Sequence, residues 1–409
     1  MRGPEIEETG RLAGEAVGGV ASLVRDMHAA IASRSFAAVG PGAIPVRAIH
    51  DRATRAIYPA IRNALAAAPR AGATLLARRV PATAPPAAAS TGGSLALGAL
   101  NGAIGDALAS RGSELALEMS IRRDGVDVAP DGAGLAAAFP DATPKLGVFV
   151  HGLCEADEAW RLLPLGANPG ARRSYGERLA DDLGYTPIFV RYNTGLHVSD
   201  NASHLSALLE RVAEGWPVEV EEIALVGHSM GGLVCRGACH RGEATGAGWV
   251  APLRHVLCVG TPHLGAPLEK AANLAGWALA RLPETRALAR VVNGRSVGIK
   301  DLRFGSCVEE DWCDCDVDEL LSDHCHDVPF LESATYCFIG ATVSRGEHGA
   351  LGTVVGDLLV RFPSASGRGR RRRVPFEAAN GLHLGGANHF DLLNHPAVYE
   401  QIRSWLARE

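Results

Sequence analysis

Gly227-His228-Ser229-Met230-Gly231-Gly232 directly follows the apolar run Ile223-Ala224-Leu225-Val226. This is a G-x-S-x-G pattern in the context of strand, tight turn and helix, the helix being signalled by Gly-Gly-Leu-Val-Cys-Arg. A serine in such a turn is a candidate nucleophile, and the residues two before and two after it must be small because neighbouring chain crowds the turn. A hydroxyl is a poor nucleophile until a base removes its proton, and the base needs an acid to orient it. The chain order that goes with this turn is serine, acid, histidine.

That order prunes the fifteen histidines. His389 lies in Gly385-Gly386-Ala387-Asn388-His389-Phe390-Asp391, a loop before the final helix pattern at Ala397 to Leu406, and is the candidate base; His383 and His395 are its rivals. His395 precedes Pro396 and reads more simply as the start of that helix. For the acid, Asp357 in Gly356-Asp357-Leu358-Leu359-Val360 follows a strand pattern at Cys337 to Val343 and stands among apolar residues, where a carboxylate needs a partner. Asp327, Glu332 and Asp391 are alternatives. Acyl chemistry also needs donors for the oxygen that becomes negative. The backbone N–H of Met230 supplies one. The second is assigned to Leu153, with Gly152 and Cys154 as near alternatives, in the loop after the strand Lys145 to Val150. His151 reads as a structural histidine holding that loop, and Cys154 as a packing residue.

The elements around these residues alternate. Leu115 to Met119 and Gly125 to Val128 flank an Asp-Gly hairpin signal, and further strands are expected at Lys145 to Val150, Thr186 to Tyr192, Glu222 to Val226, Arg254 to Val259 and Thr335 to Ile339. Helices at about 201 to 214 and from Met230 separate them, which implies an α/β fold with a mostly parallel sheet covered on both faces. Residues 1–113 differ: they are helical in period, with a Pro- and Ala-rich linker near 79–93. Leu12, Ala16, Val20, Val24, Met27 and Ile31 make one apolar stripe and Val46, Ile49, Ala53, Ile57, Ile61 and Leu65 another. Such stripes either pack on the main domain as a cap or give peripheral contact with a membrane surface or a partner.

The 409 residues, 47% hydrophobic with 40 basic against 45 acidic side chains, exclude fibrous and wholly disordered chains and make nucleic acid an unexpected partner. The acidic start Met-Arg-Gly-Pro-Glu-Ile-Glu-Glu does not read as a secretory signal, and no apolar run is long and unbroken enough to span a bilayer, so a cytoplasmic location is expected.

Taken together, Val148-Phe149-Val150-His151-Gly152-Leu153, the run from Gly227 to Gly232, Thr261-Pro262-His263-Leu264-Gly265-Ala266-Pro267, Gly356 to Val360 and Asn388-His389-Phe390-Asp391 resemble the lipase and esterase branch of the α/β-hydrolases, especially the group similar to GPI inositol-deacylase. The resemblance covers roughly residues 115–409 and implies an α/β-hydrolase domain over 114–409 carrying the triad Ser229, Asp357 and His389. In related lipases the acid stands in Asp-Gly-x-Val; here Leu358 replaces that glycine. An insertion at about 264–330, with helix patterns at Leu268 to Leu282 and Glu284 to Val292, reads as a lid over an apolar acyl pocket. The expected activity is hydrolysis of an apolar or lipid-like ester through an acyl-enzyme, with no cofactor and no metal. An acyltransferase or thioesterase on the same triad, and a silent hydrolase-fold binding protein, are the alternatives. Two further features stand outside this chemistry. Cys313, Cys315, His324, Cys325 and His326 crowd the insertion without zinc spacing, so unlinked thiols are expected. Arg368-Gly369-Arg370-Arg371-Arg372-Arg373 reads as a solvated loop able to steer anionic lipids or phosphate esters.

Overall fold

A computed structural model describes residues 1–161, 173–316, 318–345, 356–369 and 372–408. The chain forms two compact units. One comprises Met1–Ala88, Arg111–Leu115 and Ala271–Arg295; the other comprises Ala89–Ser110, Ala116–Lys270 and Ser296–Glu409.

The second unit is built on eight strands: β1 (Ser120–Arg123), β2 (Val126–Val128), β3 (Lys145–Val150), β4 (Thr186–Arg191), β5 (Glu222–His228), β6 (Leu253–Val259), β7 (Thr335–Thr342) and β8 (Gly381–Gly385). Their order is β2-β1-β4-β3-β5-β6-β7-β8. From β4 to β8 every pairing is parallel, and β1 runs antiparallel to both β2 and β4. The near-continuous apolar runs in β3, β5 and β6 follow from burial on both faces, with successive side chains entering opposite cores. Ile223 and Leu225 join one core with Val148 and Val256, while Ala224 and Val226 join the other with Phe149 and Leu257.

The hairpin at the sheet edge starts later than the sequence suggests. Leu115 to Met119 lie outside any strand, and β1 begins at Ser120 because the turn is Asp124-Gly125, both with positive φ, which fixes the register Arg123↔Val126. The strand β8, which the sequence reading does not identify, pairs with β7 at the opposite edge; it is only five residues long, and its Leu382 and Leu384 pack half-buried on one core.

In the first unit, helices α1 (Gly3–Val39) and α2 (Ile44–Ala77) form an antiparallel hairpin. Small residues make the contact. A Cβ on Gly10 would stand 2.1 Å from that of Ala73, and one on Gly14 would stand 2.6 Å from the Ala66 carbonyl oxygen. The large apolar residues of both stripes point away from that contact. Val20 (61% exposed), Ile49 (73%) and Ile57 (54%) are open to solvent, as are Val24, Ile31, Val46, Ile61 and Leu65. Within the same unit Arg34 pairs with Glu284 at 2.9 Å and Arg290 with Asp26, so part of the long insertion folds with the hairpin. The third N-terminal helix, α3 (Thr91–Ser110), belongs to the sheet unit. Among the described residues no helix is long and apolar enough to cross a membrane.

Candidate active site

Ser229 closes β5 and opens helix α4 (Met230–Thr245). Its backbone, φ 52 and ψ −121, is a conformation that L-residues adopt only under constraint. The constraint is visible on both sides. A Cβ on Gly227 would meet the Gly232 nitrogen at 2.5 Å, and one on Gly231 would meet the Val150 carbonyl oxygen at 2.3 Å. The Ser229 N–H donates to the Val259 carbonyl at 2.8 Å, tying the turn to the end of β6. The glycines are therefore required by packing, and the serine is held at the carboxyl end of the sheet.

Asp357 and His389 meet at that end too. His389 Nδ1 lies 2.7 Å from Asp357 Oδ2, with both side chains nearly fully buried. The other carboxylate oxygen accepts the Leu359 and Val360 N–H groups at 3.0 and 2.7 Å, and the His389 N–H donates to the Asp357 carbonyl at 3.0 Å. The two loops thus fix one another through backbone and side chain. Burial pushes the His389 pKa down, but the Asp357 carboxylate outweighs it and the net direction is up. With Nδ1–H given to the acid, Nε2 carries the lone pair, and among the described residues it has no hydrogen-bond partner. The Ser229 hydroxyl is therefore not hydrogen-bonded to His389 here. Imidazole and serine turn are nevertheless close: a Cβ on Gly260, next to Val259, would stand 3.1 Å from His389 Cε1.

Leu358 occupies the place of the glycine expected after the acid, and it adopts φ 86, a left-handed conformation. A leucine is thus held in a backbone conformation that glycine adopts far more readily, with the side chain 62% exposed.

In the loop after β3, the Gly152 N–H donates to Glu155 Oε2 at 2.7 Å and the Cys154 N–H to Thr194 Oγ1 at 3.2 Å. Leu153 lies between these two engaged amides. A Cβ on Gly152 would stand 2.9 Å from that of Ser229, so this loop packs directly on the serine. His151 is buried, stacks on Tyr192 with ring centroids 4.5 Å apart, and has its pKa lowered to about 4 by burial, as suits a neutral structural residue. Cys154 is not a packing residue in a core: it is exposed at φ 61, with its thiol and backbone against Gly102 of α3.

One residue of this site escaped the sequence reading. Glu155, 7% exposed, accepts from Gly152 and also lies 2.9 Å from His228 Nδ1. Burial raises its pKa and the His228 ring with the Gly152 N–H lower it, the net direction being down. The His228 ring stands 4.8 Å from that of His389. A carboxylate four residues after a histidine has no distinctive spacing; only a buried charge needing a partner could have hinted at it.

The rival residues fall elsewhere. His383 sits in β8, 2.9 Å from Thr342 Oγ1; His395 caps the last helix, accepting from the Ala397 N–H; and Asp391 caps the turn at Asn388. Asp327 and Glu332 are exposed. In the insertion, His326 pairs with Asp311 and Cys325 with Ser306, and among the described residues no group of three side chains is placed to hold a metal ion. Arg370 and Arg371 of the arginine run lie outside the described residues.

Residues 175–314 match the family model of the PGAP1-like alpha/beta domain. No curated protein matches the chain. Among solved structures, the mature form of the Bacillus licheniformis lipase BlEst2 is similar at 20% identity and TM-score 0.41, covering 64% of this chain and 91% of that one. A lipase-esterase related protein from Clostridium acetobutylicum is similar at 15% identity and TM-score 0.34, over 64% and 94%. The NocB thioesterase domain of the nocardicin cluster is similar at 15% identity and TM-score 0.32, over 66% and 97%. With its parallel strand order, its serine at the end of β5 and the family match, the chain has the α/β-hydrolase fold, and residues 175–314 of it match the PGAP1-like alpha/beta domain.

Proposed function

We propose that the chain is a serine carboxyl-ester hydrolase that acts on an apolar or lipid-like ester through an acyl-enzyme. The observation that supports it is the buried Asp357–His389 pair at 2.7 Å, with Nε2 unpartnered among the described residues, at the sheet end where the strained turn presents Ser229. In this reading His389 Nε2 takes the hydroxyl proton as Ser229 Oγ attacks the ester carbonyl carbon. The oxyanion accepts hydrogen bonds from the Leu153 and Met230 N–H groups. As the C–O bond breaks, His389 returns the proton to the leaving alcohol. Water then adds to the acyl-enzyme with His389 as base, and the acid leaves as Ser229 recovers its proton. Asp357 holds the ring in the tautomer this requires.

The N-terminal hairpin is assigned peripheral contact with a membrane surface. Helix α2 has Arg47, Arg52, Arg55, Arg62 and Arg70 against Asp51 alone, with Ile44, Ile49 and Ile57 exposed. Cationic side chains beside open apolar ones suit an anionic lipid interface.

The test is hydrolysis of p-nitrophenyl esters from acetate to palmitate, with and without detergent micelles, by wild type and Ser229→Ala. Turnover confined to wild type and higher on long chains at an interface is expected. Equal turnover by both proteins removes the serine mechanism. An acyltransferase would instead give an ester product when an alcohol is supplied.

A further inference from the structure

Arg236 lies on α4 with only 5% of its surface exposed, yet among the described residues its guanidinium meets no carboxylate. It donates to His263 Nδ1 at 3.1 Å and to the Val328 carbonyl at 3.2 Å, and its charge lies 5.6 Å from the centre of the Phe330 ring. Because His263 Nδ1 accepts, Nε2 must carry the ring hydrogen. Burial, reinforced by Arg236 and Arg372, holds His263 well below the usual histidine range and so neutral. Arg372 turns inward from the arginine run and donates to the carbonyls of His263, at 2.8 Å, and Phe304. The Cys325 thiol, within hydrogen-bonding reach, and Asp323 also act on it, and among the described residues it has no ion pair with a carboxylate. Arg236 Nε, Arg372 Nε and His263 Nε2 are all buried and without a hydrogen-bond partner among the described residues.

These three side chains stand around one cavity of about 420 Å³, whose wall adds Arg373 and a single acid, Asp327. The volume is that of a small-molecule site. Among the described residues of the wall, three arginines stand with one carboxylate, and three buried donors have no acceptor. A buried donor left unpaired costs about 1–3 kcal/mol, and more when it is charged. The wall is therefore short of negative charge and of acceptor atoms.

We propose that this cavity binds a phosphate group. A tetrahedral oxyanion offers acceptors in several directions at once and matches guanidinium donors, whereas a carboxylate has two oxygens in one plane. The group comes either from a soluble phosphoester or from a lipid headgroup. None of the cavity's residues belongs to the set Ser229, Asp357 and His389, so binding there does not depend on the esterase reading.

The test is calorimetric titration of the full chain at fixed ionic strength with inorganic phosphate, glycerol 3-phosphate and dihexanoyl phosphatidic acid, with acetate as the carboxylate control. Saturable phosphate binding is expected, weakened at least ten-fold in Arg236→Met and in Arg372→Met and unchanged in Arg403→Gln, which alters a surface pair with Glu400. Should Arg236→Met fail to fold, Arg372→Met and Arg373→Met on the wall decide the matter. Tighter binding of the phosphatidic acid than of glycerol 3-phosphate assigns the site to a lipid headgroup; the reverse assigns it to a soluble phosphoester. Acetate binding as tight as phosphate, no saturable binding below about 10 mM, or equal weakening in Arg403→Gln overturns the proposal.

Discussion

Glu155 and His228 meet at 2.9 Å in a buried pair beneath the serine turn. Through Gly152 the carboxylate holds the loop that packs on Ser229, and through His228 it is tied to the residue before the nucleophile. Glu155→Ala removes the acceptor of the Gly152 N–H and takes the carboxylate from His228 Nδ1, leaving that ring only its Nε2 contact with the His389 carbonyl. Because misplacing one oxyanion donor costs about 10²–10³ in turnover, kcat is expected to fall by about that range with KM little changed, and Glu155→Gln to recover part of it. Steady-state kinetics on a soluble ester, beside a thermal melt, separates this from simple loss of fold; an unchanged kcat in a folded Glu155→Ala contradicts it.

Leu358 sits at φ 86 with an exposed side chain. A left-handed L-residue costs roughly 1–2 kcal/mol, partly offset on replacement by the roughly 0.5–1 kcal/mol that glycine loses in chain entropy. Leu358→Gly is thus expected to stabilise the protein by up to about 1 kcal/mol, with the Asp357–His389 geometry intact. Leu358→Ile, whose branched Cβ tolerates this backbone worse, should destabilise it. Denaturant midpoints of the three proteins check both signs.

The pKa of His389 is raised above the ordinary value of 6.5 because Asp357 outweighs burial. The base must be neutral to take the serine proton, so the acid limb of kcat/KM should have its midpoint above pH 6.5. In Asp357→Asn burial remains and the charge is gone; the midpoint should move below 6.5 while turnover falls about 10⁴-fold. The stability that this ion pair contributes is fully present below the unfolded pKa and is lost as pH rises through the folded one. A pH–rate profile that does not move in Asp357→Asn would shift the acid role to another carboxylate.

The hairpin of α1 and α2 exposes isoleucines beside arginines. Co-sedimentation with vesicles should be strong when phosphatidylserine is present, weak with phosphatidylcholine alone, and should fall as salt rises. Ile49→Ser with Ile57→Ser should release the protein without lowering turnover of a short soluble ester. Binding indifferent to lipid charge, or concentration-dependent dimers lost in the same variant, would replace the membrane with another partner for this face.

Much of the site could be read from the chain because its constraints are local. The glycines around Ser229 are dictated by atoms within a few residues of them or at the ends of β3, and the order of Ser229, Asp357 and His389 follows from the strand order. The features that escaped depend on distant chain. Glu155 is defined by His228, seventy-three residues away. The role of α3 is set by Gly102 fitting against Cys154, which no helical period reveals. Strand β8 alternates over only five residues, two of them leucine, which is too short a pattern to stand out beside the glycines that bound it. The stripes of α1 and α2 were legible as stripes, but periodicity does not tell which side of a helix is covered, and here small residues take the contact.

The most direct measurement is labelling of the intact chain with a fluorophosphonate, followed by peptide mass spectrometry. The expected result is a single phosphonyl adduct on Ser229, formed in wild type, absent in Ser229→Ala and slowed by orders of magnitude in His389→Ala. An unlabelled wild-type chain, or an adduct on another residue that persists in Ser229→Ala, would contradict a Ser229 nucleophile activated by His389.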